Sequence, residues 1–197
     1  MKNIEKLIHK ARNNSLVSFD RLRVLDKFAK QALYLEGNFW ECGVYKGGTA
    51  LLFSEAIKVN KQIKLRLFDT FSGMPECHPQ KDKHKKGDFI DTSLESVKAF
   101  IGDTKQVHYY EGLIPETFKG LEDEKIAFVH IDVDIYQSVM DCCKFIMPRM
   151  VKGGIVIFDD YGFESCPGAK EAIDEYFKDK SENPLQLPTN NALVVKL

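Results

Sequence analysis

Apolar residues in the first 36 positions recur every three or four places, as Ile4, Leu7, Ile8 and Ala11 and then, behind Ser18, as Phe19, Leu22, Leu25, Ala29 and Leu33. That spacing predicts two amphipathic helices, the second capped by the Ser18 hydroxyl. From Asn38 the pattern changes to short apolar runs that end in glycine or an acid, at 38–42, 64–68, 106–110, 126–131 and 154–158. These read as strands. Helical patterns separate them at 49–58, 93–101 and 136–146, with a short turn from Pro115 and a last helix at 167–178. Residues 185–187 and 192–197, joined through a Pro-Thr-Asn-Asn turn, read as a closing antiparallel hairpin. Alternating strands and helices with near-continuous apolar strands imply a doubly wound α/β domain, its seven-stranded sheet mostly parallel and covered on both faces. Residues 1–36 are expected to pack as helices on a core formed by 37–197, one domain overall.

Composition narrows the function classes. The chain has 197 residues, 44% hydrophobic and 29% charged, which suits one folded domain burying roughly 70% of its unfolded surface. Its 28 Lys and Arg nearly cancel 29 Asp and Glu, so no basic field is available for a nucleic-acid backbone. Five cysteines (Cys42, Cys77, Cys142, Cys143 and Cys166) lack CxxC spacing, which points to a reducing compartment. The opening MKNIEKLIHKAR has no signal-peptide core, and no apolar run reaches membrane-spanning length. A cytoplasmic, soluble protein with no nucleic-acid or membrane partner is expected. Residues 75–92, with KDKHKKGD, are the one long polar segment, a lid or a disordered loop.

The acids mark the chemistry. Glu41, Asp69, Glu111, Asp132, Asp159 and Asp160 each close a predicted strand, so a parallel sheet collects them along the edge where α/β folds bind ligands. Gly43, Gly47 and Gly48 occupy the first strand-to-helix turn, where a ligand can approach backbone N–H groups. Their spacing is neither G-x-G-x-x-G nor a P-loop, so a dinucleotide or P-loop phosphate is disfavoured. Asp69, 21 residues after Gly48, stands where an acid accepts ribose hydroxyls; the alternative is that the glycines only shape a turn and Asp69 caps a helix. Asp132 or Asp134, one strand away from Asp159 and Asp160, would repel them unless a hard divalent cation intervened, or unless the acids cap a helix and face water.

WECGVYKGGTA, LRLFDTFSGMP, EGLIPETF, HIDVDIYQS and GGIVIFDDYGFESCPGAKEAIDEYF together resemble the macrocin O-methyltransferase (TylF/MycF/NovP) family of class I S-adenosylmethionine-dependent enzymes, from about Phe39 to Phe177. The glycine segment is also similar to ELGAYCGYS of catechol O-methyltransferase. The resemblance implies a Rossmann-like class I fold, with Glu41, Gly43 and Thr49 around the methionine part of the cofactor, Asp69 on its ribose and Gly112 against its adenine. Asp91 and Ser93 are further candidates for that pocket. It also implies Mg²⁺ on Asp132, Asp159 and Asp160, with Asp134 as a fourth acid, and methylation of hydroxyls on antibiotic or coumarin-linked sugars. The chain departs from the family in length, lacking much of its N-terminal extension and lid.

Methyl transfer to a hydroxyl needs a base, for which Asp132 or Asp134 is the candidate, Asp132 also bordering the cofactor. His130, inside AFVHID, reads as a hydrogen-bonded core histidine. Tyr45 and Tyr161 contact the ligands or pack; His78, His84 and the loop lysines meet an anionic substrate or face solvent. The expected activity is Mg²⁺-dependent O-methylation of a sugar-containing hydroxyl acceptor. Rivals are a cofactor-binding protein without turnover and a metal-dependent phosphohydrolase. The apolar stripes of the N-terminal helices suggest burial against a second copy, hence a homo-oligomer.

Overall fold

The computed structural model describes residues 2–102 and 104–197. Strands β1 (Asn38–Cys42), β2 (Leu65–Asp69), β3 (Val107–Glu111), β4 (Ile126–Ile131), β5 (Met150–Phe158), β6 (Leu185–Gln186) and β7 (Ala192–Val195) form one sheet in the order β3-β2-β1-β4-β5-β7-β6. β1 to β5 are parallel, and β7 runs antiparallel between β5 and β6. This is the expected doubly wound α/β sheet with its closing hairpin. The chain steps outward from β1 to β3 and then returns beside β1 as β4, so a crevice opens at the carboxyl ends of β1 and β4.

Helices α1 (Lys2–Arg12), α2 (Phe19–Ala32), α3 (Gly48–Ile57), α4 (Leu94–Ile101), α5 (Tyr136–Ile146) and α6 (Pro167–Phe177) cover the sheet. Strand alternation divides the core into two layers. Phe39, Phe128 and Ile157 join Leu22, Leu25 and Phe53 on the α1–α3 side, while Trp40, Val129 and Phe158 join Cys142 and Ile173 under α5 and α6. Ser18 caps α2 as its position predicts, accepting from Arg21 N.

Two expectations change. The stripe Ile8, Ala11, Leu22, Leu25 and Ala29 is buried within the chain, because α1 and α2 pack on α3, whose own residues are almost all buried. That stripe therefore offers nothing to a second copy. β5 begins at Met150 rather than Gly154: Ile126 pairs with Met150 and Phe128 with Ile155, a bulge absorbed at Gly153 with φ +80°.

The connection from β2 to α4 contains no helix or strand over its polar stretch, yet it is fastened down. Asp82 accepts from His78 N at 2.7 Å and from Tyr136 N, at the start of α5, at 2.9 Å. Asp82 and the Lys81 carbonyl also border Gly168 in the first turn of α6, so this ordered stretch, the lid segment, lies across the amino ends of α5 and α6.

Candidate active site

The two central strands end in contact. Gly43, directly after β1, has φ +85°, and a Cβ there would lie 1.8 Å from the carbonyl oxygen of Asp132. Its N–H donates to Phe68 O at 2.9 Å, and Asp132 N donates to Cys42 O at 2.8 Å, so neither strand end can withdraw. Gly43→Ala is therefore expected to lower stability by about 2–4 kcal/mol, combining left-handed strain with a backbone clash. Thermal melting of the variant checks it, and a midpoint unchanged from the parent would refute the close approach.

Asp69 closes β2 and gathers the glycine turn. Its Oδ2 accepts from Val44 N at 2.6 Å and Tyr45 N at 2.9 Å, and its Oδ1 from Phe71 N at 2.7 Å. Thr70 Oγ1 also lies 3.5 Å from Oδ1 but donates its one proton to Gly73 O at 2.6 Å, and a carboxylate has about four acceptor positions, so roughly one is left for a ligand hydroxyl. Asp69, Gly43, Thr49, Gly112 and Asp132 all line one cavity of about 290 Å³ at the carboxyl edge of the sheet. Tyr45 lines it too, its hydroxyl held by Asp91 at 2.8 Å.

Other sequence candidates lie elsewhere. Glu41 is buried behind the turn and does not line the cavity. Asp91 pairs with Lys46 outside it, and Ser93 caps α4; Thr92 between them is the residue that lines it. Glu111 is exposed. Tyr161 bonds Asp174 at 2.6 Å and packs against the core. His84 lines the cavity whereas His78 does not, and Lys81 and Lys86 pair with Glu171 and Glu76. Sequence reasoning missed Ser15, Leu16, Val17 and Arg21, which reach the cavity from the α1–α2 connection and the first turn of α2. Arg21 reads in sequence as a solvent-facing helix charge, and only its tertiary partner reveals otherwise.

Behind the cavity runs a buried row of alternating charge. Sheet register sets Glu41 opposite His130, and His130 opposite Ile157, two residues before Asp159. His130 Nδ1 is 3.0 Å from Glu41 Oε1, and its Nε2 is 3.5 Å from Asp159 Oδ1, a charge contact rather than an aligned hydrogen bond. Asp159 is also bonded by Asn191 and ion-paired with Arg21, which lies over the Phe163 ring. Burial pulls the His130 pKa down, but Asp159 and Glu41 outweigh it and push the value up to about 10, so the ring is an imidazolium. His130 is thus the bonded core histidine that its apolar context suggests.

In front of that row, carboxylate oxygens of Asp132, Asp134 and Asp160 lie within 4.8 Å of one another. Asp134 adopts φ +59° and donates its N–H to Asp160 Oδ2 at 3.0 Å. Burial raises all three carboxyls, and repulsion from neighbouring aspartates raises them further. An all-oxygen donor set with unbalanced buried negative charge fits a hard divalent cation. Asp159, the expected third ligand, also lines the cavity and has an oxygen within 4.8 Å of one on Asp132, but its carboxylate is paired with Arg21 and Asn191, whereas Asp134 groups with Asp132 and Asp160.

A raised folded-state pKa means that the native state binds more protons than the unfolded chain, whose aspartates titrate near about 3.9. The metal-free protein is therefore expected to lose stability as pH rises above that value, and Mg²⁺ is expected to raise the melting temperature more at pH 7 than at pH 5. Equal Mg²⁺ shifts at both pH values would count against a carboxylate site.

Comparison with known proteins bears on the family and the fold. A family model described as Macrocin-O-methyltransferase (TylF) matches residues 11–191. The 8-demethyl-8-(2,3-dimethoxy-alpha-L-rhamnosyl)-tetracenomycin-C 4'-O-methyltransferase of Streptomyces olivaceus is 28% identical over 155 residues, covering 71% of this chain and 58% of that protein. The demethyldecarbamoylnovobiocin O-methyltransferase of Streptomyces niveus is 26% identical over 153 residues, and the chain again spans 58% of its length. Among solved structures, the O-methyltransferase NovP superposes with a TM-score of 0.84 at 22% identity, over 93% of this chain and 82% of that one. With the match running unbroken through the glycine turn, Asp69 and the acid cluster, the chain belongs to the macrocin O-methyltransferase (TylF) family.

Proposed function

We propose that the protein transfers the methyl group of S-adenosylmethionine to a hydroxyl of a sugar-containing metabolite, assisted by Mg²⁺. The observation that carries this reading is the shared cavity, in which Asp69, Thr49 and Gly112 face the same space as Asp132 and Asp160. The acceptors in the names of relatives, a rhamnosyl tetracenomycin and mycinamicin III, support a glycosylated acceptor. An O-methyltransferase of Bacillus cereus solved with S-adenosylhomocysteine and TomG of Streptomyces achromogenes solved with S-adenosylmethionine share this fold.

Each residue has a definite task. Asp69 offers its remaining acceptor position to a ribose hydroxyl, and the Gly43 turn allows close approach beside the amino end of α3. When bound, the sulfonium cofactor supplies an electrophilic methyl, and Mg²⁺ on Asp132, Asp134 and Asp160 supplies acidification and orientation of the hydroxyl. Asp159 joins that set only by exchanging Arg21 for the ion. Among the described residues no protein group hydrogen-bonds the Asp132 carboxylate, so it is free to take the hydroxyl proton. Burial raises the Asp132 carboxyl in the metal-free protein, an effect that a bound cation would offset. Phe89, Phe163 and Val133 line the cavity and exclude water.

Calorimetry with S-adenosylmethionine, with and without Mg²⁺, tests the reading. Heat from cofactor binding is expected, and Asp69→Asn should weaken it roughly tenfold to a hundredfold, the worth of one charged hydrogen bond. Absence of cofactor heat in both conditions ends the proposal and favours a phosphohydrolase, which needs neither Asp69 nor the glycine turn. Binding without any methylated product favours a cofactor-binding protein. Five free cysteines support a reducing, cytoplasmic setting, and no helix among the described residues is long and apolar enough to cross a membrane. A homo-oligomer would use another surface, the open β6 edge with exposed Leu185; light scattering that shows a monomer at micromolar concentration ends that reading.

A further inference from the structure

One cluster at the lid side of the cavity is not explained by methyl transfer. His84 comes from the polar connection, Asp134 from the turn after β4, and Cys166 from the position before α6. Cys166 Sγ lies 3.6 Å from His84 Nε2 and 3.4 Å from Asp134 Oδ1, and His84 Nε2 lies 3.6 Å from Asp134 Oδ1. A tetrahedral zinc ion with bonds of about 2.3 Å to sulfur and about 2.0 Å to nitrogen and oxygen requires ligand separations of about 3.5 Å for S···N and S···O and about 3.3 Å for N···O. The two sulfur distances already stand at those separations, and the N···O distance of 3.6 Å needs to close by only about 0.3 Å.

A second observation concerns the far side of the imidazole. His84 Nδ1 is 3.1 Å from Asp88 Oδ2, which is itself fixed by Lys85 N at 3.0 Å. That contact places the ring proton on Nδ1 and turns the Nε2 lone pair toward Cys166 and Asp134. Carboxylate-buttressed histidines of this kind are the usual supports of metal ligands.

We infer that His84, Asp134 and Cys166 form a binding site for a zinc-type divalent transition metal, with one coordination position open to the cavity. All three residues line that cavity, so the fourth ligand is a water or an oxygen donor of a bound acceptor. Thiolate and imidazole donors select this ion class over Mg²⁺, which the neighbouring all-oxygen group suits. Binding converts the Cys166 thiol to a thiolate, its proton passing to solvent, and ties the lid to the start of α6. The same residues also have the connectivity of a nucleophile, a base and an orienting acid. Burial, with Asp160 and Asp134 adding to it, holds the thiol protonated, however, the reverse of what an activated cysteine nucleophile needs. A cation reverses that effect, and a base does not.

Cobalt(II) is the direct probe, because its thiolate complexes absorb by sulfur-to-metal charge transfer and its tetrahedral sites absorb in the visible. Titration of the metal-free full chain should give both features at one equivalent, and excess Mg²⁺ should not remove them. Cys166→Ser should abolish the charge-transfer band, His84→Gln should weaken cobalt binding roughly tenfold or more, and Asp88→Asn should weaken it roughly tenfold to a hundredfold. Asp132→Asn should leave the band unchanged. The inference is overturned if the parent shows no thiolate band, if the band persists in Cys166→Ser, or if Mg²⁺ displaces the cobalt. Should Cys166→Ser not fold, His84→Gln on the lid decides alone, unchanged affinity counting as refutation. No cofactor or acceptor enters this readout, so it stands or falls separately from the methyl-transfer proposal.

Discussion

Asp132→Asn is expected to lower kcat for O-methylation by roughly two to four orders of magnitude, the usual worth of a positioned general base, while cofactor affinity stays within a few-fold. Asparagine keeps the shape of the side chain and its place beside the Gly43 crossing, but it cannot accept a proton from the acceptor hydroxyl. The same change removes one of three mutually repelling carboxyls, two half-buried and one buried. In the absence of metal the variant should therefore melt at a higher temperature than the parent at pH 7, a gain that a disrupted fold would not show. Asp134→Asn is a useful comparison, because Asp134 Oδ1 already faces His84 and Cys166 rather than standing free. Its kcat should fall less. Steady-state kinetics with the parent and both variants decide the matter, and an Asp132→Asn enzyme within fivefold of the parent would remove Asp132 as the base.

The parallel sheet was legible because each central strand is buried on both faces and so reads as a continuous apolar run between turn residues. Gly43, Asp69 and Asp132 were legible as well, since each follows directly from its place at a strand end. What sequence could not show depends on contacts between distant segments. Arg21 meets Asp159 across 138 residues, and Cys166 meets His84 across 82. No local period marks such pairs. Adjacent residues at a strand end also point to opposite faces, which is why Asp159 and Asp160 belong to different groups despite their adjacency. The apolar stripe of α2 was visible, but whether another helix of the same chain or a second copy covers it depends on where α3 packs. The bulge at Gly153 escaped for a similar reason, since two glycines mark a strand start as readily as a mid-strand irregularity.

The buried charge row should be the most costly place to remove one partner. His130→Leu is expected to destabilise the protein by about 3–5 kcal/mol at pH 7, the range found when a buried ion pair loses one member. Leucine fills the space, so the loss reflects charge rather than a cavity. Glu41 would be left with no cation beside it, whereas Asp159 keeps Arg21 and Asn191. Two consequences separate this account from simple misfit. Lowering the pH should narrow the deficit, since Glu41, whose carboxyl burial already raises, can then take a proton. Replacing Glu41 as well, in Glu41→Leu/His130→Leu, should recover much of the lost stability, giving a strongly non-additive double-mutant cycle. In the parent the sign is the same: His130 is pushed above its unfolded value to about 10, so its contribution is complete below about pH 6.5 and fades as pH climbs through the folded value; the deficit narrows only by the amount that the gain of the unpaired Glu41 exceeds this one. Denaturant unfolding of the parent, Glu41→Leu, His130→Leu and the double variant at pH 5 and pH 7 measures both effects. Additive losses with no pH dependence would mean that Glu41 and His130 are neutral packing residues, and that the row carries no charge at all.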